Sequence, residues 1–272
     1  MFVMIRRFVG SSYVLFYIFL LLIGAATLFL KSPLLQTLLI VLSSWSSTIV
    51  LIVMFRRIYP QRNLWSFIKS RFSGKISGSA LGGVVLLQLL ILAGSLWITS
   101  AVWDVPVDKQ VAFSWLNLLL LFGYNLIQGP LGEELGWRGF VLNELQKKLS
   151  PLKSAVVVGL VWGLWHAPLW LMSGYTGYQL LQYVISFLAG ILAVSVIITA
   201  FYNRSRNLII PIIIHQLFNF NIAVQTGDVL RKLTLTAVLY LFAAVILVAV
   251  NPEMCRQPNN KTPGRISPPG AL

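Results

Sequence analysis

The sequence predicts an all-α, polytopic integral membrane bundle of about eight transmembrane helices, and three observations predict it. First, hydrophobic residues make up 57% of the 272-residue chain against 10% charged, with a mean hydropathy of +0.82. Soluble domains usually carry about 25% charged residues, so most of this chain has no polar side to give to water. Second, several apolar runs reach the roughly 20 residues a helix needs to cross the hydrocarbon core. Third, the roughly ten-residue alternation of a membrane β-barrel is absent. Lipid offers backbone groups no partners, so the apolar runs must satisfy their own hydrogen bonds as helices.

Taken in order, the expected spans are 11–30, 34–55, 79–103, 111–145, 154–172, 178–201, 207–226 and 232–250. The first follows Arg6 and Arg7. Its apolar run from Val14 to Leu30 exceeds a usual signal-peptide core and shows no clear small-residue cleavage site before Lys31, so a retained span is expected. The fourth is too long for one straight crossing and contains Gly129-Pro130-Leu131-Gly132, which should kink or break it. Residues 1–250 are expected to form a single transmembrane bundle, with the motif-bearing core at about 111–226. Residues 251–272 read as a polar, Pro-rich, disordered cytoplasmic tail holding the one cysteine, Cys255, so no intrachain disulfide is possible.

Eight spans put both termini on one side, and the charges say which. With the N-terminus inside, 16 Lys and Arg residues fall on the cytoplasmic side. They are Arg6 and Arg7, the 56–75 and 147–153 loops, Arg204, Arg206 and the tail. Only Lys31, Lys109, Arg231 and Lys232 fall opposite, which is a strong positive-inside bias. The net charge of +14 therefore belongs to loops facing the cytoplasm and anionic lipid, and not to nucleic-acid binding. The expected location is a multi-pass protein of a bacterial plasma membrane with both termini cytoplasmic.

The scarce ionisable residues carry the chemistry. Of seven carboxylates, Glu133 and Glu134 are adjacent inside the fourth span, followed by Arg138. The two histidines, His166 and His215, lie in the fifth and seventh spans, and Asn219 follows His215. Ionisable side chains inside spans are costly and usually face an internal cavity with partners. Spacing of four puts Glu134 with Arg138, Trp162 with His166, and His215 with Asn219 on shared helix faces. Glu133 is turned about 100° from Glu134, so the two carboxylates need not share a partner. Counted at 1.5 Å per residue from the nearest basic loop, Glu133, His166 and His215 lie roughly 21, 20 and 14 Å deep. Three helices thus bring them toward one plane.

A carboxylate and two imidazoles point to hydrolysis by one of two routes. Glu133, His166 and His215 could hold a zinc and its water. Alternatively Glu133 is the general base for a water steadied by His166, while His215 and Asn219 donate to the oxyanion formed at an amide carbonyl. A structural role for a lone buried His or Glu–Arg pair is common. Three such groups at matched depth, with no other histidine in the chain, favour function.

These residues resemble the CPBP family of intramembrane proteases, which includes CAAX prenyl endopeptidases and Abi-type bacteriocin-immunity proteins. The family's E-E-x-x-x-R motif corresponds to Glu133-Glu134-Leu135-Gly136-Trp137-Arg138, and its H-x-x-x-N motif to His215-Gln216-Leu217-Phe218-Asn219. The F-x-x-x-H motif departs in one place, because Trp162 stands where Phe is usual, four residues before His166. The resemblance implies that Glu133 activates the water, His166 positions it, and His215 and Asn219 complete the site. Glu134, Arg138 and Trp162 would order the site or contact substrate. It implies no cofactor, with zinc on Glu133, His166 and His215 as the alternative. It also implies the lipid bilayer and a membrane-associated peptide or lipidated protein as partners. The competing function is a non-catalytic membrane regulator or bacteriocin-immunity scaffold of the same fold, disfavoured because every catalytic group is present.

Overall fold

A computed structural model describes residues 1–111 and 114–258. Among these residues every regular element is a helix, apart from a single antiparallel bridge between Val111 and Gln225. The expectation of an all-helical bundle holds. The chain opens with α1 (Phe2–Ala25), which runs on into a π-helical turn, Ala26–Leu30. Then come α2 (Pro33–Ser44), α3 (Ser46–Ile58), α4 (Leu64–Phe72), α5 (Gly78–Trp103) and the short α6 (Val107–Gln110). The motif region follows as α7 (Trp115–Gln128), α8 (Pro130–Glu134), a π-helix (Leu135–Leu142) and α9 (Asn143–Leu145). Next are α10 (Pro151–Trp165), α11 (Ala167–Leu171), α12 (Gly177–Ser205), α13 (Ile209–Val224) and α14 (Val229–Ala249).

Local chemistry starts these helices. The side chains of Ser32, Asn63, Ser77, Ser150 and Asp228 each accept a hydrogen bond from a backbone N–H of the first turn, and Pro33 and Pro151 follow two of them. Large apolar side chains such as Leu21, Val53 and Phe242 are 75%, 77% and 65% exposed, as lipid-facing residues must be. In α1 the buried residues Ile5, Phe8, Ser12 and Phe16 recur at helical spacing, so one stripe packs inward and the rest meets lipid. The most buried long helix is α12, which packs between α10 and α14 and donates from Ser195 to the carbonyl of Ala155 at 2.8 Å.

Four helical stretches are long and apolar enough to cross a membrane: Phe2–Leu30, Gly78–Trp103, Gly177–Ser205 and Val229–Ala249. The bent pair α2 and α3 makes a fifth. The expected total of eight therefore rests on segments that are shorter or broken. The break expected at Gly129 is present, since α7 ends at Gln128 and Pro130 begins α8.

Two spans read as continuous are also broken. The 34–55 segment bends by 55° at Trp45. Here Ser43, Ser44 and Ser46 each donate to a carbonyl three residues back, an alternative to helical pairing that weakens the helix locally. The 154–172 segment stops at Trp165, and His166 links it to α11, because Pro168 has no N–H for the ladder and its ring disfavours a continuous helix. His166 thus sits at a helix junction and not within a span.

The breaks at Trp45 and Gly129 dock on each other. Trp45 donates from its indole to the carbonyl of Ile127 at 2.9 Å, and Ser47 donates to the carbonyls of Gly132 and Glu133. Glycine is needed for this approach. A Cβ on Gly132 would come within 2.6 Å of the Trp45 ring, and one on Gly136 within 2.7 Å of Ser47.

The half of the bundle nearest the basic loops is solid. Phe8, Leu51, Phe55, Trp137, Phe140 and Leu142 are all at most 1% exposed and belong to one core. Phe8 meets the edges of Trp137 and Phe140 at centroid separations of 5.9 and 5.0 Å. At its rim Glu144 is buried, accepting from Tyr59 and from Lys147 at 2.6 Å. Of the tail, Pro252–Met254 form a 3-10 turn and Met254 is buried in this core, while residues 259–272 lie outside the described residues.

Candidate active site

Glu133 is presented by α8 immediately before the helix loosens into π geometry. Single π turns inside α-helices recur at functional sites, and here the turn carries Arg138 while Asn143 patches its carbonyls. The Asn143 amide donates to the carbonyl of Arg138 at 2.6 Å and to Tyr202 Oη at 2.9 Å. Within this segment Glu134 and Arg138 pair as expected, Nη1 to Oε1 at 2.8 Å, both almost fully buried. Arg138 also lies over the Trp162 ring, 4.1 Å from its centroid.

The two carboxylates do take different partners. Glu133 Oε2 accepts from the indole Nε1 of Trp162 at 2.5 Å. Glu134 Oε1 accepts from His215 Nδ1 at 2.8 Å, in addition to Arg138. Trp162 is therefore central to the assembly. It bonds Glu133, stacks under Arg138, and meets His215 edge to face at 4.8 Å.

His166 is fixed by its position at the helix junction. Its Nδ1 lies 2.8 Å from the carbonyl of Trp162. A carbonyl only accepts, so Nδ1 carries the proton and Nε2 is left as an acceptor. Trp165 and Phe187 hold the ring edge to face at 4.8 and 5.2 Å.

Glu133, Trp162, His166, His215 and Asn219 all line one cavity of about 620 Å3. The hydrolase expectation required these groups to share a cavity, and all five line it. Glu134 and Arg138 do not line the cavity. They are buried outside its lining. Gly129 closes the approach of α7 and α8 to α13, since a Cβ there would fall 3.0 Å from the Asn219 amide and 3.7 Å from His215 Nε2. The three candidate zinc ligands share the cavity. Among the described residues, however, no three His, Cys, Asp or Glu side chains gather as a metal-holding group.

Sequence reasoning missed two contacts and two lining residues. The bonds from Trp162 to Glu133 and from His215 to Glu134 cross between helices, so spacing along one helix could not show them. Asn125 and Gln128 also line the cavity, and the Asn125 amide nitrogen is buried without a partner. Their signal was legible as two amides at helical spacing just before Gly129 in an otherwise apolar span.

Residues 115–221 match the family described as type II CAAX prenyl endopeptidase Rce1-like. Over that stretch the chain is similar to the Rce1-like family. The segment runs from the start of α7 nearly to the end of α13 and includes every residue of the site just described. The chain is also similar to CAAX prenyl protease 2 of Methanococcus maripaludis, at 35% identity over 121 residues. That match takes in 43% of this chain and 45% of the relative, so it spans less than half of either protein. Helices α1 to α6, which supply Trp45, Ser47 and the packed face of α1, lie before the Rce1-like segment.

Proposed function

We propose that this protein is an intramembrane endopeptidase that hydrolyses peptide bonds of membrane-associated substrates with a water activated by Glu133. The observation that carries the proposal is the convergence of Glu133, His166, His215 and Asn219 on one cavity, inside a segment that matches a prenyl endopeptidase family. Trp162 holds Oε2 of Glu133, which leaves Oε1 to take a proton from water. The acceptor Nε2 of His166 supplies a second anchor for that water. Two groups fixing one water set its direction of attack, and positioning of this kind removes much of the barrier.

Attack on the amide carbonyl places negative charge on its oxygen. The Asn219 amide is the available donor for that oxyanion, joined by an Nε2–H of His215 only when that ring carries both protons, because its Nδ1–H is given to Glu134. Glu134 Oε1 accepts from His215 Nδ1 and from Arg138 together, and this shared oxygen holds the His215 ring in one orientation. The proton taken by Glu133 then passes to the leaving amine as the C–N bond breaks. No step requires a metal.

The test is cleavage of a mixed peptide library by protein purified in detergent, comparing wild type with Glu133→Ala and His166→Ala. Loss of activity in both variants, with folding retained, is the expected result. Full activity in Glu133→Ala would remove the base. Metal analysis of the same sample addresses the zinc route. About one zinc per chain, with activity abolished by chelation, would replace the water-activating carboxylate by a metal site.

A further inference from the structure

Helix α13 carries two sets of polar side chains on opposite faces. His215 and Asn219 share the face that lines the cavity. Asn221 lies two residues further on, about 200° round the helix, and meets α5 and α14 instead. Its amide donates to the backbone carbonyl of Gln88 in α5 and to Tyr240 Oη in α14, each at 3.2 Å. Tyr240 donates in turn to Oε1 of Gln88. One turn along, Gln225 accepts from Ser95 of α5 at 2.8 Å and donates back to the carbonyl of Asn221 at 2.7 Å. Gln88, Asn221 and Tyr240 are at most 4% exposed, so these bonds are made in the packed interior.

The cluster is a costly way to hold helices together. Gln88 and Ser95 are two of the four buried residues of α5, so that helix meets the bundle through a stripe that is half polar. Gln88 Nε2 is itself buried without a hydrogen-bond partner among the described residues. Apolar side chains of the same shape need no partners and would pack there with little or no loss of stability. What they would not supply is register. Aliphatic surfaces fit one another in many alignments, whereas a set of donors and acceptors meets in one. A slip of α13 by one residue moves its side chains about 1.5 Å along the axis and turns them about 100°. That would part His215 Nδ1 from Glu134 Oε1, which now stand 2.8 Å apart.

We propose that Gln88, Asn221 and Tyr240 are positioning residues, whose hydrogen bonds fix the rotation and depth of α13 and through it the placement of His215 and Asn219. Gln88 and Tyr240 lie outside residues 115–221, so helices beyond the Rce1-like segment align the site within it. The proposal rests on reading the cavity as the hydrolytic site, and its test therefore includes a measurement that needs no catalysis.

The test removes the cluster without stranding any of its members, by combining Gln88→Leu, Asn221→Leu and Tyr240→Phe in the full chain. Thermal unfolding in detergent should stay near wild type. For a peptide that wild type cleaves, kcat should fall by roughly a hundredfold, the scale of a small misplacement, with KM changed far less. The readout independent of catalysis is nitrogen NMR of the two imidazoles, labelled in protein purified without a histidine tag and assigned with His166→Gln. The His215 signals should shift as its bond to Glu134 loosens. Those of His166 should not, because its bond to the carbonyl of Trp162 is local to its own segment. Tyr240→Phe alone is the milder change. It should move the His215 signals in the same direction, and it decides the matter if the triple variant does not fold. An unmoved His215 signal would overturn the proposal whatever the activity, and so would a wild-type kcat in the folded triple variant. If wild type cleaves no peptide yet the His215 signal moves, the hydrolase reading fails and the positioning of His215 by this cluster stands.

Discussion

The two halves of this bundle use the same kinds of helix for opposite ends. On the basic side Phe8, Phe55, Trp137, Phe140 and Leu142 pack to exclusion, and each carboxylate has protein partners: Glu134 Oε1 has Arg138 and His215, and Glu144 has Tyr59 and Lys147. Glu134 Oε2, Arg138 Nε and Nη2 and Trp137 Nε1 are buried without a hydrogen-bond partner among the described residues. On the other side the helices part around a cavity, and its polar groups keep an open valence. Glu133 has one oxygen unclaimed by protein, His166 an acceptor nitrogen, and Asn125 an amide without a partner. The lesson is that unused hydrogen-bonding capacity occurs in both halves, and what separates them is whether it faces a cavity or packed side chains. Glu133 and Glu134 are neighbours in sequence and both are buried, yet one faces the cavity and the other supports it.

Substitutions on either side of that divide should behave differently, and the largest effect is expected in the solid half. Arg138→Ala leaves Glu134 as a buried carboxylate stripped of its closest cation, and should cost about 3–5 kcal/mol of stability. Thermal unfolding in detergent checks it, and a fully stable variant would show that the pair is dispensable to the core. Glu133→Ala should instead keep the fold and lower peptide hydrolysis by at least about a hundredfold, in the range general-base removal produces. A parallel loss of stability would erase the distinction between the two carboxylates.

Trp162→Phe sits on the boundary between the halves. It preserves an aromatic face for Arg138 but removes the indole donor to Glu133, a bond to a charged group worth about 1.5–3 kcal/mol. If that bond acts mainly on the reacting water, kcat should fall by roughly ten- to a hundredfold with KM nearly unchanged. A change confined to KM would move Trp162 from positioning the base to binding substrate. The smallest effect is expected from Gly136→Ala. It forces a methyl group against Ser47 where the two helix breaks dock, at about 1–3 kcal/mol for overpacking. Because that contact also holds the carbonyl of Glu133, activity should fall along with stability. Loss of stability alone would show that the docking serves the core and not the site.

Much was legible in the chain itself. Scarcity of charge forces helices in lipid, the Gly129-Pro130 step forces a break, and four-residue spacing pairs Glu134 with Arg138. Each follows from covalent geometry or from local neighbours, so no knowledge of the fold was required. The breaks at Trp45 and His166 were written as well, in a serine-rich run and in Ala167-Pro168, but hydropathy averages over such short signals.

What tertiary structure alone decided is which helix meets which. Trp162 donating to Glu133, His215 donating to Glu134, and a cavity lined by residues from several helices all depend on the rotation and depth of helices far apart in sequence. The apolar pattern says only that a face is buried. It does not say against what, because aliphatic and aromatic surfaces pack almost interchangeably until the whole bundle has closed around them.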